Sequence, residues 1–440
     1  RHLDELTPKQ REAFVNSEGH IMLSHELVTI KTDIVLDIDS ESMALTGSYS
    51  PEAADLFEKY EFGSLRRFLG NVQPSTQKEE KKVAYTEASP AQVIKEAQKL
   101  GRCAIITEAQ GEGIFSEIAR VTVAAGELTA DGQPSDFAKI ISDPNIIKVG
   151  YDLKLQRNLL AHNGHNLEGR LMDIELMHYL INPEKSHKIE ILAKTYLDVN
   201  LEDDSTQEVV ETLSLFDEVH EDNSKPSKAK EAAATYLLGI SVWKDMEVNE
   251  VQKLYMEMEE PLLKVLSDME MEGVKIDLAQ LRRYSAALSA EMNEIQERVR
   301  EMAGEPMLNI LSPKQIGPLI FEKLKLDPKM KPKSGVRYTY PTDEDTLSAL
   351  ADKHPIINEI LEFRGVKKLL STYIEPFPGY ISPVTGKIHT TFNQAQTATG
   401  RLSSSKPNLQ NIPIRTERGK EIRKAFVPSN PDGLIVSADY

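Results

Sequence analysis

The sequence predicts an α/β domain, followed by a mostly helical region and then by an α+β segment. Between residues 83 and 245, short apolar runs typical of strands alternate with helical patterns, as they do in α/β units. From residue 246 onward, apolar residues recur every three or four positions along several stretches, which indicates helices. A strand-like alternation follows at residues 387–393, after a Pro- and Gly-containing turn.

The composition of the 440-residue chain fits two or three folded domains. Hydrophobic residues make up 40% of it and charged residues 28%, which is enough to build several cores. Its single cysteine, Cys103, excludes an internal disulfide and fits the reducing cytoplasm. No apolar run approaches the ~20 residues of a membrane span, so we expect no membrane partner.

Residues 1–82 are expected to hold no complete domain. Residues 1–45 are too short to form one, and Ser50-Pro51 marks the start of a short helix within residues 46–82. Residues 73–82 contain almost no apolar side chains, which is typical of a linker.

The α/β domain and the helical region each contain definite element signals. Strands are predicted at residues 104–106, 118–125 and 146–150, helices around residues 91–100 and 171–180, and a charged loop at residues 218–230. The strongest helix pattern begins after Asp277, whose carboxylate can cap it, and ends at Gly304, for a length of about 40 Å. Shorter helices are predicted at residues 312–324, 342–350 and 356–373.

The charge distribution points in two directions. A net charge of −17 argues against a nucleic-acid partner. Residues 387–424, however, form a basic island, with cations that outnumber the two glutamates Glu417 and Glu421: Lys387, Arg401, Lys406, Arg415, Arg418, Lys420, Arg423 and Lys424. A solvated face is the commoner meaning of such a stretch. Here amides and hydroxyls that suit DNA backbone and minor-groove contacts lie between the cations, among them Thr399, Asn408, Gln410 and Asn411.

Three segments of the chain carry a family resemblance. Residues 397–404 read TATGRLSS, residues 407–415 read PNLQNIPIR and residues 435–440 read IVSADY. In this order they resemble the palm of family A DNA polymerases, as far as the first half of their motif A. The similarity extends over the whole chain and is closer in its second half.

The resemblance implies an architecture. Residues 83–245 would form a ribonuclease H-like, 3′→5′ exonuclease-like domain, and residues 246–440 a mostly helical thumb with the first part of an α+β palm. Residues 1–45 are similar to the end of a 5′-nuclease domain. The implied activity is template-directed DNA synthesis in repair and replication by a cytoplasmic monomer, with primer–template DNA and deoxynucleoside triphosphates as partners.

The resemblance also assigns site residues. Asp439 would bind two catalytic Mg²⁺ ions and the carbonyl of Tyr440 would bind one of them, since hard oxygen ligands suit this metal. The apolar residues 434–436 before Asp439 predict a strand, and on its own an aspartate after a strand is more often a turn residue. The remaining assignments are DNA contacts: Arg401 at the primer terminus, Gln410 and Arg415 on template and primer, and Lys314 with Gln315 at the thumb tip.

The departures from the family limit these expectations. The sequence stops within motif A, and one aspartate cannot hold two Mg²⁺ ions, so we expect the 440 residues alone to be inactive. In the exonuclease-like domain, Glu108 remains, but Ile106, Gln156 and Thr235 stand where carboxylates are expected. Neutral side chains cannot replace that charge, so we expect no nuclease activity.

Three functional readings therefore remain open. The leading one is a DNA polymerase, and the second is a primer–template DNA-binding module without catalysis. The third, a 3′→5′ exonuclease, is disfavoured by the missing carboxylates, although Asp152 lies one helical turn before Gln156 and could reach the same site.

Overall fold

The computed structural model describes residues 17–31, 50–60, 62, 68–69, 82–201, 228–332, 340–414 and 416–438. The chain divides into two units, Arg1–Glu79 and Glu80–Tyr440. The first unit contains helices α1 (Glu18–Val28) and α2 (Pro51–Lys59) in its described part. All further elements belong to the second unit. No helix among the described residues is both long and apolar enough to cross a bilayer.

The α/β part of the second unit is built on a mixed six-stranded sheet. Its strands are β1 (Thr86–Glu87), β2 (Arg102–Gln110), β3 (Glu117–Ala125), β4 (Leu128–Gly132), β5 (Ile147–Gly150) and β6 (Leu171–Asp173). Their order across the sheet is β1-β4-β3-β2-β5-β6. Strands β2, β3 and β4 pair antiparallel, while β5 pairs parallel with both β2 and β6. The predicted strands at residues 104–106 and 118–125 are confirmed as parts of β2 and β3, and the one at residues 146–150 is confirmed from Ile147 onward as β5.

Helices surround this sheet and share its core. They are α3 (Pro90–Leu100), α4 (Ala138–Ile141), α5 (Leu153–His162), α6 (Ile174–Ile181), α7 (Ile189–Leu197) and α8 (Ala229–Val248). Helix α8 approaches the sheet so closely that a β-carbon at Gly239 would collide with the Val149 side chain. A glycine is required at such a contact because any larger residue would push the helix away.

One predicted helix of the α/β domain is wrong in its first three residues. Residues 171–180 were expected to be helical, but Leu171–Asp173 forms strand β6, parallel to β5, and the helix starts at Ile174. The Asp173 carboxylate caps that helix by accepting a hydrogen bond from Leu176 N at 3.1 Å. A three-residue strand is set by its neighbour in the sheet rather than by its own pattern, so periodicity could not reveal it.

The second half of the chain is mostly helical. Its buried apolar residues from Ile276 onward form a core of their own, whereas Tyr255 and Leu263 pack in the core of the α/β part. Its helices are α9 (Gln252–Leu254), α10 (Glu260–Glu272), α11 (Leu278–Ala303), α12 (Pro313–Pro318), α13 (Glu344–Ser348), α14 (Pro355–Leu369) and α15 (Glu417–Arg423). π-Helical turns at Tyr255–Glu259, Leu319–Lys323 and Leu370–Ile374 precede α10 and extend α12 and α14. Strands β7 (Lys275–Ile276) and β10 (Phe426–Val427) pair antiparallel, as do β8 (Thr391–Asn393) and β9 (Ser403–Ser405).

Helix α11 is confirmed with both of its predicted ends. The Asp277 carboxylate accepts hydrogen bonds from Ala279 N at 2.9 Å and Gln280 N at 3.0 Å. Gly304 ends the helix in the left-handed region, with a φ of 64°. The buried residues of α11, including Leu288 and Ile295, pack in the same core as those of α14.

Two other element predictions differ from the structure. The predicted strand at residues 387–393 is split, since Ile388 forms an isolated bridge with Val274 and β8 starts at Thr391. Residues 434–436 form no strand, and Leu434, Ile435 and Val436 are exposed. A strand needs a neighbour to take its backbone hydrogen bonds. Within the described part of the chain, none pairs with residues 434–436.

Candidate functional site

The exonuclease-like positions begin on β2, where alternation places Ile106 and Glu108 on the same face of the sheet. The Glu108 carboxylate does not stand alone. It accepts a hydrogen bond from Arg120 Nε on β3 at 2.6 Å and pairs with Arg120 Nη2 at 2.5 Å. Arg120 also lies 3.4 Å from the Asp131 carboxylate. The carboxylate that the sequence retains is therefore neutralised by a cation of the next strand.

The other two exonuclease-like positions carry buried neutral side chains. Gln156 on α5 donates from Nε2 to the carbonyl of Tyr151 at 2.8 Å, while its Oε1 has no partner among the described residues. Thr235 on α8 is fully buried, and its hydroxyl donates to the Glu231 carbonyl at 2.7 Å. Neither side chain brings negative charge to the site.

A second set of acidic residues lies at the starts of α5 and α6, where the Asp173 carboxylate accepts hydrogen bonds from backbone amides. Asp173 accepts hydrogen bonds from Leu153 N at 2.6 Å and Leu176 N at 3.1 Å, which join α5 to α6. Burial raises the pKa of Asp173 to about 8, and repulsion from Glu175 and Asp152 adds to this, although the two amide donors oppose it. Burial also raises the pKa of Glu175 to about 7.

Asp152 does not take the place of the missing carboxylates. It is the cap of α5, held at a φ of 48°, and its side chain accepts from Leu155 N at 3.3 Å. Among the described residues, no group of three or more His, Cys, Asp or Glu could hold a metal ion. A neutralised Glu108 beside Ile106, Gln156 and Thr235 does not fit a pair of divalent ions, which need anionic oxygens.

The TATGRLSS motif lies on a β-hairpin that we call the hairpin arm (residues 391–405). Strand β8 pairs with β9 in the register Thr391↔Ser405, and residues 394–402 form the connection. Within it, Thr397 Oγ1 donates to the Arg401 carbonyl at 2.8 Å and Gly400 adopts a φ of 75°, a conformation that favours glycine. The side chains of Thr399 and Arg401 are exposed at this tip. The arm thus presents a guanidinium to solvent on an ordered loop.

The amides of the basic island follow directly after the arm. Asn408 Oδ1 accepts from Gln410 N at 3.0 Å, and the buried Ser404 hydroxyl accepts from Leu409 N at 3.1 Å. The Asn411 carbonyl accepts from the Tyr373 hydroxyl at 2.5 Å. These backbone bonds fix the turn, while the side chains of Asn408, Gln410 and Asn411 remain exposed.

Several cations of the basic island are held by carboxylates. Lys387 pairs with Glu272 at 2.5 Å and Lys420 with Glu417 at 2.5 Å. Lys424 pairs with Glu421. Arg418 bridges α15 to α11 and α14 through Glu291 and Glu362. The island therefore has less available positive charge than its sequence indicates, whereas Arg401, Lys406 and Arg423 are exposed.

The remaining predicted residues lie in the thumb and at the end of the chain. Lys314 and Gln315 are exposed on α12, and Gln315 Oε1 accepts from Asn309 N at 2.7 Å, which closes the turn before that helix. Arg415, Asp439 and Tyr440 lie outside the described residues. Their predicted roles stay predictions.

Sequence reasoning gave no role to the residues that hold the palm against the α/β domain. Buried Glu270 on α10 pairs with Lys154 and accepts from Asn158 Nδ2 at 2.8 Å, both on α5. It also accepts from Phe392 N of the hairpin arm at 2.7 Å. Burial raises the pKa of Glu270, and Lys154 opposes that change. Because the partners are more than 100 residues apart, no local pattern could have revealed them.

An exonuclease-like α/β sheet, a helical thumb and a palm hairpin with an exposed arginine together define the class of polymerases that carry an attached exonuclease-like domain. Residues 278–440 match the family model of DNA polymerase family A, and residues 76–218 match that of a 3′-5′ exonuclease. The chain belongs to DNA polymerase family A.

Curated relatives are similar to this chain over most or all of its length. DNA polymerase I of Bacillus subtilis is 34% identical over 447 residues, which cover 100% of this chain and 50% of that protein. DNA polymerase I of a Synechocystis strain is 40% identical over 326 residues, 72% of this chain and 32% of that protein. The chain thus spans about half the length of the Bacillus relative.

A solved structure has a similar fold. It is the POL domain of Pol1 from M. smegmatis in complex with DNA primer-template and dNTP. The TM-score is 0.65 at 27% sequence identity, over 78% of this chain and 58% of that chain. The mixed sheet followed by a helical thumb is the arrangement expected from the sequence.

Proposed function

We propose that this chain is part of a template-directed DNA polymerase of repair and replication, and that it binds primer–template DNA along the hairpin arm and the thumb. The observation that carries the proposal is the exposed Arg401 at the tip of an ordered arm, with the exposed side chains of Asn408, Gln410 and Asn411 in the turn that follows the arm. Minor-groove acceptors common to all base pairs can accept from such groups, which allows binding without a sequence preference.

Each proposed contact has a distinct task. Arg401 donates to minor-groove acceptors near the primer end, and Gln410 with Asn408 and Asn411 follows the adjacent nucleotides. Thr399 and, in the thumb, Lys314 with Gln315 are exposed and are proposed to contact sugar and phosphate oxygens. Such backbone contacts set position and orientation, while the arginine tests the shape of the base pair.

The chemistry of nucleotide transfer is proposed for the full-length polymerase rather than for these 440 residues. Asp439 and the carbonyl of Tyr440 would be ligands of Mg²⁺, and two bound ions supply nucleophile activation and charge neutralisation. The resemblance assigns one catalytic carboxylate to this chain. What the chain itself contributes is DNA binding and orientation of the primer end. We propose that the full-length polymerase is a cytoplasmic monomer and that deoxynucleoside triphosphates are its substrates.

Fluorescence anisotropy of the 440-residue chain on labelled DNA tests the binding proposal. A primer–template junction should bind more tightly than a single strand, and affinity should fall steeply with salt as counterions are released. Arg401→Ala should cost on the order of 1–3 kcal/mol. Lys420→Ala is the matched control. Lys420 is exposed and pairs with Glu417, and as a contact to phosphate alone its loss should cost less and mainly flatten the salt slope.

Two results would contradict the DNA-binding proposal. If all DNA forms bind equally and weakly, without salt dependence, the negative net charge of the chain governs its behaviour. If Arg401→Ala then changes nothing, the hairpin arm is not a DNA-binding surface.

A further inference from the structure

A tyrosine hydroxyl of the exonuclease-like domain forms two hydrogen bonds with the tip of the hairpin arm. Tyr179 lies on α6, and its hydroxyl donates to the Thr397 carbonyl at 2.7 Å and accepts from Gly400 N at 3.1 Å. The hydroxyl therefore uses both its donor and its acceptor capacity on two backbone groups of the same loop. Those groups lie 218 and 221 residues further along the chain.

The tip has little packing to hold it. A β-carbon at Gly400 would meet no atom within 4 Å, and Ala398, Thr399, Gly400 and Arg401 are all exposed. Tyr179, by contrast, is only 5% exposed, with its ring 5.8 Å from that of His187. Packing is therefore sparse on the loop and close around the tyrosine, and the two hydrogen bonds of the hydroxyl join the exposed tip to a buried side chain of the α/β domain.

The base of the arm is held by other groups. Glu270 accepts from Phe392 N at 2.7 Å, Gln394 Nε2 donates to Glu259 Oε2 at 2.7 Å, and Ala395 packs on the core of the α/β domain. These contacts fix residues 392–395. Tyr179 acts further along, on either side of Thr399 and next to Arg401.

We propose that Tyr179 is a positioning residue through which the exonuclease-like domain orients Arg401 toward primer–template DNA. The inference rests on the proposed function, because it uses the DNA contact assigned to Arg401. A loop held in its binding conformation before DNA arrives loses less conformational entropy when it binds. The domain thereby serves DNA synthesis through its contact with the palm, without any chemistry of its own.

Tyr179→Phe in the 440-residue chain tests this inference, since it removes the hydroxyl and keeps the ring. Without DNA, hydrogen exchange of the amides in residues 397–401 should become roughly two- to tenfold faster, as expected for the loss of a hydrogen bond. Affinity for a primer–template junction should fall by a similar factor. Tyr196→Phe is the matched control, because its hydroxyl donates to Asp245 Oδ2 at 2.7 Å within the α/β domain, and it should change neither quantity.

A double variant distinguishes positioning from a general loss of structure. If Tyr179 acts through Arg401, then Tyr179→Phe should add little to the loss of affinity in an Arg401→Ala background, because interacting residues are not additive. Full additivity of the two losses would overturn the inference.

Two further outcomes count against the inference and separate it from the proposed function. Unchanged exchange at residues 397–401 in Tyr179→Phe would overturn the inference whatever the DNA affinity. Faster exchange with unchanged affinity would also overturn it. In that case a loss of affinity in Arg401→Ala leaves the proposed function intact, whereas no loss there removes the proposed function as well.

Discussion

Five side chains bear on the chemistry expected of the exonuclease-like domain. Ile106, Gln156 and Thr235 bring no charge, and Arg120 neutralises Glu108 at 2.5 Å. A divalent ion gives up hydration only to anionic oxygens that compensate for the lost water. Before a carboxylate that is paired with an arginine can bind a metal ion, that ion pair has to break. The domain keeps the fold, and its described residues include no group of three or more His, Cys, Asp or Glu that could hold a metal ion.

We therefore expect the purified chain to show no 3′→5′ degradation of single-stranded DNA in Mg²⁺ or Mn²⁺. Glu108→Ala should behave like the wild type in this assay, because its carboxylate is already engaged by Arg120. Denaturing gel electrophoresis of an end-labelled oligonucleotide measures both. Trimming that EDTA stops, and that disappears in Glu108→Ala, would show that the site binds metal after all.

At the residue scale, the sequence reveals which residues occupy the exonuclease-like positions, but it does not reveal their ion-pair partners. The loss of carboxylates at residues 106, 156 and 235 is visible in the sequence itself, given the family resemblance. The Glu108–Arg120 pair is not, because it depends on the register of β2 and β3 and on the irregularity after Glu108. The same holds for Arg418, whose partners Glu291 and Glu362 come from two distant helices. The roles of Asp439, Tyr440 and Arg415 stay predictions.

At the scale of elements, one buried carboxyl joins two helices. Asp173 ends β6, caps α6 through Leu176 N and also accepts from Leu153 N at the start of α5. Its pKa is raised to about 8, chiefly by burial. A carboxyl whose pKa is higher in the folded chain than in the unfolded chain stabilises the fold while it is protonated, and this contribution is lost as the pH rises through about 8.

The free energy of unfolding should therefore decrease by on the order of 1–3 kcal/mol between about pH 6 and about pH 8.5, with Glu175 contributing in the same direction. Asp173→Asn should be less stable overall, since an amide offers one acceptor oxygen instead of two, but its pH profile should be flatter. Asp352→Asn, at an exposed position, should keep the wild-type slope. Urea unfolding across the pH range measures all three. Equal slopes in Asp173→Asn and wild type would contradict this assignment.

Elements with local end signals were predictable, and elements defined by a neighbour were not. Helix α11 has a capping aspartate, a regular apolar stripe and a terminal glycine, so its bounds follow from the sequence. Strands β6 and β8 have three residues each, and their pairing partners determine them. For the same reason the apolar residues 434–436 were predicted as a strand, although the described part of the chain offers them no partner.

At the scale of the whole molecule, a polar contact joins the α/β domain to the palm. Glu270, at 3% exposure, is the common partner of Lys154, Asn158 and Phe392 N. Close to it, Ser267 Oγ donates to Asn158 Oδ1 at 2.5 Å. Buried groups of this kind are costly when one partner is removed, because the others cannot recover their hydration.

Glu270→Ala should lower the free energy of unfolding by about 3–5 kcal/mol, since it leaves the Lys154 charge buried without a carboxylate. Urea unfolding can be followed by the fluorescence of Trp243, which lies on α8, and by circular dichroism of the whole chain. The two transitions should separate in the variant as the domains uncouple. Asp268→Ala is the control, because its carboxylate pairs with Arg157 at 68% exposure and should cost at most about 1 kcal/mol.

A loss in Glu270→Ala no larger than that in Asp268→Ala would mean that the two domains are held together by apolar packing instead. Coincident transitions in the variant would lead to the same conclusion.

The position of helix α10 has a consequence for modularity. The match to the exonuclease family model ends at residue 218, and the match to the polymerase family model begins at residue 278. Glu260 and Glu270 lie between them and belong to neither match. Yet Glu260 accepts from Leu171 N at 2.9 Å and Glu270 binds α5, so this helix is held by buried polar contacts to the α/β domain of its own chain. In a chimera that takes its exonuclease-like domain from a relative, the contacts between this domain and α10 would be preserved only if α10 came from the same relative. We therefore expect a stable chimera to need its boundary after α10 rather than before it.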